Sequence, residues 1–370
     1  MSEPAAIWLK ERLDGIGRTE VLGAMRIAIG CLLFAQAFDA LGELQQVGYF
    51  GDHFHMSLIP ERFVATRAFY TYMLATRLLL AVIVAVGVQS RPALFLSSCL
   101  GFYVLACDKL EFHHNRYALL LYAFLLALTP CDRSWRLVGR RSLADQTGPM
   151  WAVYLARLQV ALVYVGSGGS KLFDPDWRDG TMVAQRFVRY GGEALAAGIP
   201  ESVISFFSRP MMTSLIAKGA ITSELFIAIG LQFPRTRRVA LWWGIIFHSM
   251  IEVSSKVELF TWVTLVAYAF FVTMDARARS FEFDGSRALG RLAGRAMRLL
   301  DWFVRFDVHA WTPDVKGDVP SKHLIVVTRR DGVRTTGLRA FAAIAESTPL
   351  FFVLWAPLEL LSRFFGSETP

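Results

Sequence analysis

FYTYMLATRLLLAVIVAVGV, residues 69–88, is the stretch that decides the fold class, because Arg77 is its one charged side chain. A helix needs about 20 mostly apolar residues to span the hydrocarbon core of a bilayer. A run of that length and composition is typical of a transmembrane helix and exceeds the apolar runs of soluble cores. The stretch therefore predicts a membrane-spanning helix.

Similar apolar runs recur along most of the chain. The sequence is 54% hydrophobic and 19% charged, with a mean hydropathy of +0.40, which is unusual for a soluble domain. Runs long enough to span a bilayer number about eight. They cover residues 21–41, 69–88, 93–106, 117–128, 151–169, 211–233, 239–253 and 259–274. The predicted fold is therefore mainly α, a polytopic membrane helix bundle.

Positive charge is concentrated in the loops on one side of the predicted bundle. The net charge of +8 could indicate a nucleic-acid partner, but no basic helix is interleaved with stacking aromatic residues. With eight spans, the basic clusters before the first span and after the fourth, sixth and eighth all lie on the cytoplasmic side. We expect the lipid bilayer as partner, no nucleic acid, and a multi-pass protein of a bacterial inner membrane with both termini cytoplasmic.

The four cysteines do not form the framework of a disulfide-stabilised protein. Cys31, Cys99 and Cys107 fall in apolar spans, and Cys131 begins a basic loop that the charge bias assigns to the cytoplasm. We expect free thiols.

The outer side of the bundle carries a long loop, residues 170–210, in which residues 181–189 and 201–207 are predicted to form interfacial helices. Lys171 stands at its start, directly after the glycine- and serine-rich end of the fifth span. A lysine in a desolvated pocket can lose its proton and act as a base. A lysine at a helix end can also simply extend to the lipid headgroups. Position alone leaves both interpretations open.

A pattern in this segment, K-L-x-x-x-D-W-x-x-G, is formed by Lys171, Leu172, Asp176, Trp177 and Gly180. It resembles the segment that carries the catalytic base of vitamin K-dependent gamma-carboxylase and of the wider horizontally transferred transmembrane (HTTM) domain family. The resemblance covers roughly residues 18–275. It implies that Lys171 deprotonates a reduced, vitamin K-like quinone and that Asp176 and Trp177 belong to the substrate site.

A second polar cluster, His113, His114, Asn115 and Arg116, precedes the fourth span on the same outer side. The family has an Asn-His pair in this region, whose histidine handles the quinone. Here the order is reversed, so the resemblance implies a catalytic role for either His113 or His114, with Asn115 and Arg116 binding substrate. The alternative is a polar cluster that caps the fourth helix.

His248 and Glu252 lie one turn apart on one face of the seventh span. Ionisable side chains inside a membrane usually face the bundle interior or a cavity, so both are candidate substrate-binding residues. A satisfied interior histidine is the alternative. The remaining charged residues of the spans are expected to pair internally: Arg26, Arg77, Arg157, Lys218 and Glu224.

One pair of histidines has a spacing that a metal site could use. His53 and His55 are two residues apart, but no third ligand is set by the sequence, and a helix would separate the two rings. We expect no metal site.

The chain changes character after residue 275, which divides it into a membrane domain, residues 1–275, and a small cytoplasmic domain, residues 276–370. Strands are predicted at 281–285 and 304–310, a hairpin turn at Asp331-Gly332, and helices at 287–304, 337–345 and 350–364. This order resembles an α/β thioredoxin-like thiol-disulfide oxidoreductase domain. Arg287 and Gly290 replace the two cysteines of its D-G-x-C-x-x-C motif, so we expect a degenerate, redox-inactive domain.

Two functions agree with these patterns. The first is an HTTM-family membrane protein that binds a quinone-like lipid at its outer face, as a carboxylase-like enzyme or quinone-linked oxidoreductase with Lys171 as base. The second is a non-enzymatic scaffold or partner subunit whose polar clusters serve packing. A transporter is disfavoured because the sequence has no internal repeat with paired broken helices.

Overall fold

The computed structural model describes residues 14–52, 54–137, 145–196, 198–255, 259–272, 277–311 and 323–365. The chain forms two compact units, Met1–Val272 and Thr273–Pro370. The predicted domain boundary, between residues 275 and 276, lies close to this division. The described chain is mainly helical, as predicted.

Unit 1 is a helix bundle. Its helices are α1 (Glu20–Gln46), α2 (Arg67–Val86), α3 (Ser90–Cys107), α4 (His114–Ala127), α5 (Trp151–Phe173), α6 (Pro175–Asp179), α7 (Thr181–Ala196), α8 (Glu201–Phe207), α9 (Pro210–Gly230), α10 (Arg237–Ser255) and α11 (Phe260–Tyr268). Each predicted span overlaps one helix of this series, and the eighth extends beyond the end of α11. The two predicted interfacial helices are α7 and α8, and α7 is longer than predicted.

Four helices of the described chain are long and apolar enough to cross a membrane: α1, α2, α3 and α9. Helices α4 and α11, with 14 and 9 residues, are short, and a further short turn, Ala269–Phe271, follows α11. Helices α5 and α10 have 23 and 19 residues and include charged side chains, and they are not among these four. Membrane spans are therefore supported, while the number eight stays a prediction.

Helix α2 illustrates how the bundle packs. Its buried residues recur at intervals of three and four positions and include Met73, Leu74 and Arg77. Its opposite face is also apolar, with Leu79 61% exposed and Tyr72 72% exposed. A helix that is apolar on both its buried and its exposed face is suited to a lipid environment.

A two-stranded sheet joins two distant segments at the predicted cytoplasmic side. Strand β1 (Ile16–Arg18) pairs antiparallel with β2 (Thr147–Pro149), with Gly17 opposite Gly148. Strands of three residues carry no periodic signal, so the sequence did not predict them.

Cys131 lies buried in the turns after α4, and all four cysteines are free thiols.

Unit 2 contains a four-stranded sheet. Its strands are β3 (Arg279–Asp284), β4 (Phe306–Trp311), β5 (Ile325–Thr328) and β6 (Arg334–Thr335), in the order β4-β3-β5-β6. Strand β3 runs parallel to β4 and antiparallel to β5, and β5 and β6 form the predicted hairpin. Gly332 has φ +84° in its turn, a conformation that favours glycine.

Three helices accompany this sheet: α12 (Ala288–Leu300), α13 (Gly337–Ser347) and α14 (Trp355–Phe365). The apolar core contains Phe281, Phe283, Met297, Phe306, Val327 and Ala340. Helix α12 ends earlier than predicted because the Asp301 carboxylate accepts the N–H groups of Arg305 and Phe306, both at 2.8 Å. The predicted helix 350–364 begins instead as a 3-10 helix, Pro349–Leu354.

Candidate functional site

The side chain of Lys171 points toward the interior of the helix bundle of unit 1. On α5 it follows Ser167 by one turn and Tyr164 by two, so the three side chains share one helix face. Its ammonium donates to Ser167 Oγ at 2.6 Å and to both Glu224 carboxylate oxygens, at 2.8 and 2.9 Å. Its side chain is 17% exposed and that of Glu224 9% exposed. Lys171 therefore forms a nearly buried ion pair with α9.

A close approach of α5 and α9 makes this ion pair possible. A Cβ atom added at Gly168 would lie 3.1 Å from the Leu225 side chain and 3.2 Å from Glu224 Cβ. The glycine therefore lets the two helices pack closely enough for Glu224 to reach the ammonium. Glu224 was predicted to pair internally, and the structure identifies Lys171 as its partner.

One further residue of the K-L-x-x-x-D-W-x-x-G pattern, Trp177, lies beside the amine. The Trp177 ring centroid lies 5.0 Å from Lys171 Nζ, within cation–π range. Asp174 caps α6 by accepting the Asp176 N–H at 2.9 Å, whereas the Asp176 side chain is exposed. Gly180 ends α6 with φ +93°, and a Cβ atom there would lie 2.4 Å from the backbone nitrogen of Ser214. Trp177 and Gly180 thus have clear structural roles, and Asp176 makes no described contact with the amine.

A second buried polar cluster lies on α5, α10 and α11. His248, 1% exposed, has its Nε2 2.5 Å from the Tyr164 hydroxyl, which is also hydrogen-bonded to the Tyr268 hydroxyl. A Cβ atom at Gly244, one turn before His248, would collide with the Tyr268 hydroxyl. The cluster therefore joins three helices through one imidazole and two phenols.

The two clusters share α5, on which Tyr164 and Lys171 lie two turns apart on one face. Among the described residues, two enclosed atoms of α10 have no hydrogen-bond partner, His248 Nδ1 and Glu252 Oε2. Enclosed atoms of this kind can receive a hydrogen-bonding group of a ligand. We call Ser167, Lys171, Glu224, Tyr164, His248 and Tyr268 together the Lys171 cluster.

His113 and His114 make no described contact with the Lys171 cluster. Both are exposed, and among the described residues no hydrogen bond or ring contact joins them to Lys171 or His248. His114 contacts the Phe112 ring at 5.5 Å, and His113, at the start of α4, makes no side-chain cap hydrogen bond. The cap alternative is therefore not supported for His113.

Asn115 and Arg116, the two residues that follow His114, have different surroundings. Asn115 is buried at 6% exposure, and Arg116 lies 3.2 Å from a carboxylate oxygen of Glu43 on α1. Arg116 thus belongs to an interhelical ion pair. No described contact joins either residue to Lys171.

Within the described residues, no group of three or more His, Cys, Asp or Glu side chains has a metal-binding arrangement. His55 lies 3.3 Å from Glu61, and His53 lies outside the described residues. Lys218, which was expected to pair internally, is exposed on α9.

The segment of unit 2 that resembles a thiol-disulfide motif is held by polar contacts. Asp284 accepts the Ser286 N–H at 2.9 Å and the Ser286 hydroxyl at 2.5 Å, and it lies 3.1 Å from Arg287. The Ser286 hydrogen bonds lower the pKa of Asp284 below its usual range. Gly290 packs against the Asp284 carbonyl, where a Cβ atom would not fit.

The sequence analysis missed several members of the Lys171 cluster. Tyr164, Ser167 and Lys171 recur at intervals of three and four residues, and this spacing could have identified their shared helix face. No spacing in the sequence indicated Tyr268 or the pairing of Glu224 with Lys171. Both depend on how separate helices are oriented relative to one another.

In a comparison with known families, the family model described as the HTTM domain matches residues 18–275. No curated protein and no solved structure matches the chain.

Proposed function

This chain belongs to the HTTM domain family, and we propose that it binds a quinone-like lipid at the outer ends of its helices, with Lys171 as the candidate base. The proposal includes eight spans, both termini in the cytoplasm and a bacterial inner membrane. It assigns a reduced, vitamin K-like quinone as the cofactor or substrate.

The observation that carries the proposal is the inward placement of the Lys171 amine. The amine is held by Ser167 and Glu224 and lies on the same face of α5 as Tyr164, which is hydrogen-bonded to His248. A lysine that only extended to the headgroups would not need a carboxylate from a neighbouring helix. Ionisable groups concentrated inside a membrane protein are the expected sign of a functional site.

The ion pair determines how the amine would act. An ammonium cannot accept a proton, so one proton must first pass from Lys171 to the Glu224 carboxylate, which leaves a neutral amine beside a carboxylic acid. A reduced quinone held here would supply an acidic hydroxyl group. Lys171 would accept the proton of that group and Glu224 would keep the proton it had received, so the pair would again carry one ammonium and the proton count would balance.

The other predicted site residues receive supporting roles in this proposal. His248 and Glu252 offer the enclosed Nδ1 and Oε2 atoms to the polar groups of the ligand. Trp177 covers the amine, and Asp176 lies at the surface beside it. His113 and His114, with Asn115 and Arg116, form the outer entrance, where a catalytic role requires that they move toward the quinone.

For unit 2 we propose a degenerate, cytoplasmic, thioredoxin-like domain. The parallel β3-α12-β4 unit followed by the antiparallel β5-β6 hairpin and α13 supports this assignment. Arg287 and Gly290 at the cysteine positions remove the nucleophile that disulfide exchange needs.

The second candidate function is a non-enzymatic scaffold or partner subunit. The Lys171–Glu224 pair favours it, since an ammonium that already has three acceptors can act purely as a tie between helices. In that case the cluster would determine packing and would bind no lipid.

Copurifying lipids and a matched pair of variants separate these functions. The protein is gently solubilised and its bound lipids are identified by mass spectrometry, for the wild type, Lys171→Ala and the exposed-lysine control Lys218→Ala. The proposal expects a retained quinone in all three, and oxygen-dependent consumption of added reduced quinone that falls about a hundredfold or more only in Lys171→Ala. Absence of quinone, with no turnover by the wild type, supports the scaffold.

A further inference from the structure

Arg77 is a buried cation with few partners. It lies midway along α2, is 4% exposed, and donates from Nη2 to Oε1 of Gln36 on α1 at 2.6 Å. A guanidinium has five N–H donors. The Nε group of Arg77 is enclosed and has no hydrogen-bond partner. Within the described part of the chain, one hydrogen bond to a neutral amide is thus its only hydrogen bond.

No carboxylate of the described residues forms an ion pair with Arg77. The ionisable groups that act on it electrostatically are Tyr70 and Arg116, a phenol and a second cation. Arg116 is itself paired with Glu43. A buried charge without compensating partners is strongly unfavourable, so Arg77 needs further hydrogen-bond acceptors or an opposite charge.

Two other arginines of unit 1, Arg26 and Arg157, have the contacts that are expected of an arginine with a purely structural role. Arg26, 0% exposed, donates to the carbonyls of Val84, Ser134 and Trp135 and to the Ser90 hydroxyl. Arg157 donates to the Phe270 carbonyl and lies over aromatic rings. Among the described residues, Arg77 has neither a carbonyl partner nor an aromatic ring in cation–π range, so it lacks the contacts that satisfy Arg26 and Arg157.

We propose that Arg77 and Gln36 bind the carboxylate group of an anionic ligand between α1 and α2. The planar guanidinium fork matches a carboxylate, which can accept two parallel hydrogen bonds from it. The side-chain amide of Gln36 has two further N–H donors. Low polarity around the site strengthens the attraction between the two charges. This site is separate from the Lys171 cluster and does not depend on the quinone proposal.

The carboxylate could belong to a fatty acid that enters from the bilayer or to a small carboxylate from water. Both present the same group to Arg77, and an experiment can distinguish them. Thermal unfolding of the full chain in detergent is followed while formate, acetate, chloride or laurate is titrated, at constant ionic strength. The proposal expects saturable stabilisation by carboxylates and none by chloride. Stabilisation by laurate alone identifies the lipid source, and stabilisation by formate and acetate as well identifies the water-borne source.

Variants assign the effect to these residues. Arg77→Gln should weaken the apparent Kd by roughly tenfold to a hundredfold, as expected for loss of charge-assisted hydrogen bonds. Gln36→Leu should weaken it less, and Lys218→Gln, which removes an exposed cation, should leave it unchanged. Absence of saturable stabilisation in the wild type overturns the proposal without reference to any variant. An equal effect of chloride, or an unchanged Kd in Arg77→Gln or Gln36→Leu, also overturns it.

Discussion

Lys171 and Glu224, 53 residues apart in the sequence, form an ion pair in which the ammonium lies 2.8 and 2.9 Å from the two carboxylate oxygens. The pair joins the outer end of α5 to α9 and lies beside the Trp177 ring. Any chemistry of the Lys171 amine must therefore begin with its carboxylate partner, and so must any purely structural role.

The first prediction concerns the stability of this pair. Lys171→Met and Glu224→Leu each leave one nearly buried charge without its partner, so each should destabilise the protein by about 3 kcal/mol. The double variant should lose clearly less than the sum, because no uncompensated charge remains. Thermal unfolding in one detergent measures all three, with Lys218→Met as the exposed control. Additive losses would show that the pair does not stabilise the bundle.

The second prediction compares how much the hydroxyls of Tyr164 and Tyr268, the two tyrosines near His248, contribute to stability. The Tyr164 hydroxyl is hydrogen-bonded to both the imidazole and the Tyr268 hydroxyl, whereas the Tyr268 hydroxyl is hydrogen-bonded to Tyr164. Tyr164→Phe should cost about 1–3 kcal/mol because it leaves a buried ring nitrogen without a partner. Tyr268→Phe should cost less, since His248 keeps its hydrogen bond. Unfolding temperatures measured in parallel would contradict this arrangement if the order were reversed.

The third prediction tests the turn after α6. Gly180 has φ +93°, and its Cα faces the backbone of α9, so Gly180→Ala adds both strain and a collision with Ser214. We expect a loss of at least about 1–3 kcal/mol. Gly166→Ala is the matched control, because no atom lies within 4 Å of the added Cβ, and alanine should stabilise this helix by about 0.5–1 kcal/mol. Equal effects of the two substitutions would contradict the assigned close contact.

The fourth prediction concerns Cys131 and pH. Burial raises the pKa of its thiol from 9.0 to about 12. The folded state therefore keeps the proton longer than the unfolded state, so this group's contribution to stability is complete below pH 9 and is lost as the pH rises toward 12. Alkylation of Cys131 by a water-soluble maleimide, read by peptide mass spectrometry, should stay slow from pH 7 to 9. In denaturant it should be fast and accelerate with pH. Fast labelling of the folded protein at pH 7 would show that the thiol is accessible.

Much of the fold could be predicted because its signals are local. Apolar runs identify the long helices of unit 1, and the Asp331-Gly332 turn identifies the hairpin of unit 2, since each depends on neighbouring residues alone. The end of α12 was missed because it is set by the Asp301 side chain bonding forward to Arg305 and Phe306.

The candidate site was harder to predict because it is assembled from four helices. The sequence identified Lys171, His248 and Glu224 separately, but which charged side chains meet depends on helix rotation and on the close contact at Gly168. The surroundings of His113 and His114 could not be predicted for the same reason. They lie at the predicted outer side, yet both are exposed and no described contact joins them to Lys171.

The most direct test of the quinone site is photoaffinity labelling. The full chain, reconstituted in lipid nanodiscs, is irradiated with a photoreactive menaquinone analogue, and the labelled peptides are mapped by mass spectrometry with and without excess unmodified menaquinone. Binding at the Lys171 cluster predicts competable label within residues 164–180 and 244–252, and weaker label in Gly180→Ala, which disturbs the turn beside Trp177. Label that is confined to other segments, or that excess menaquinone does not displace, would contradict it.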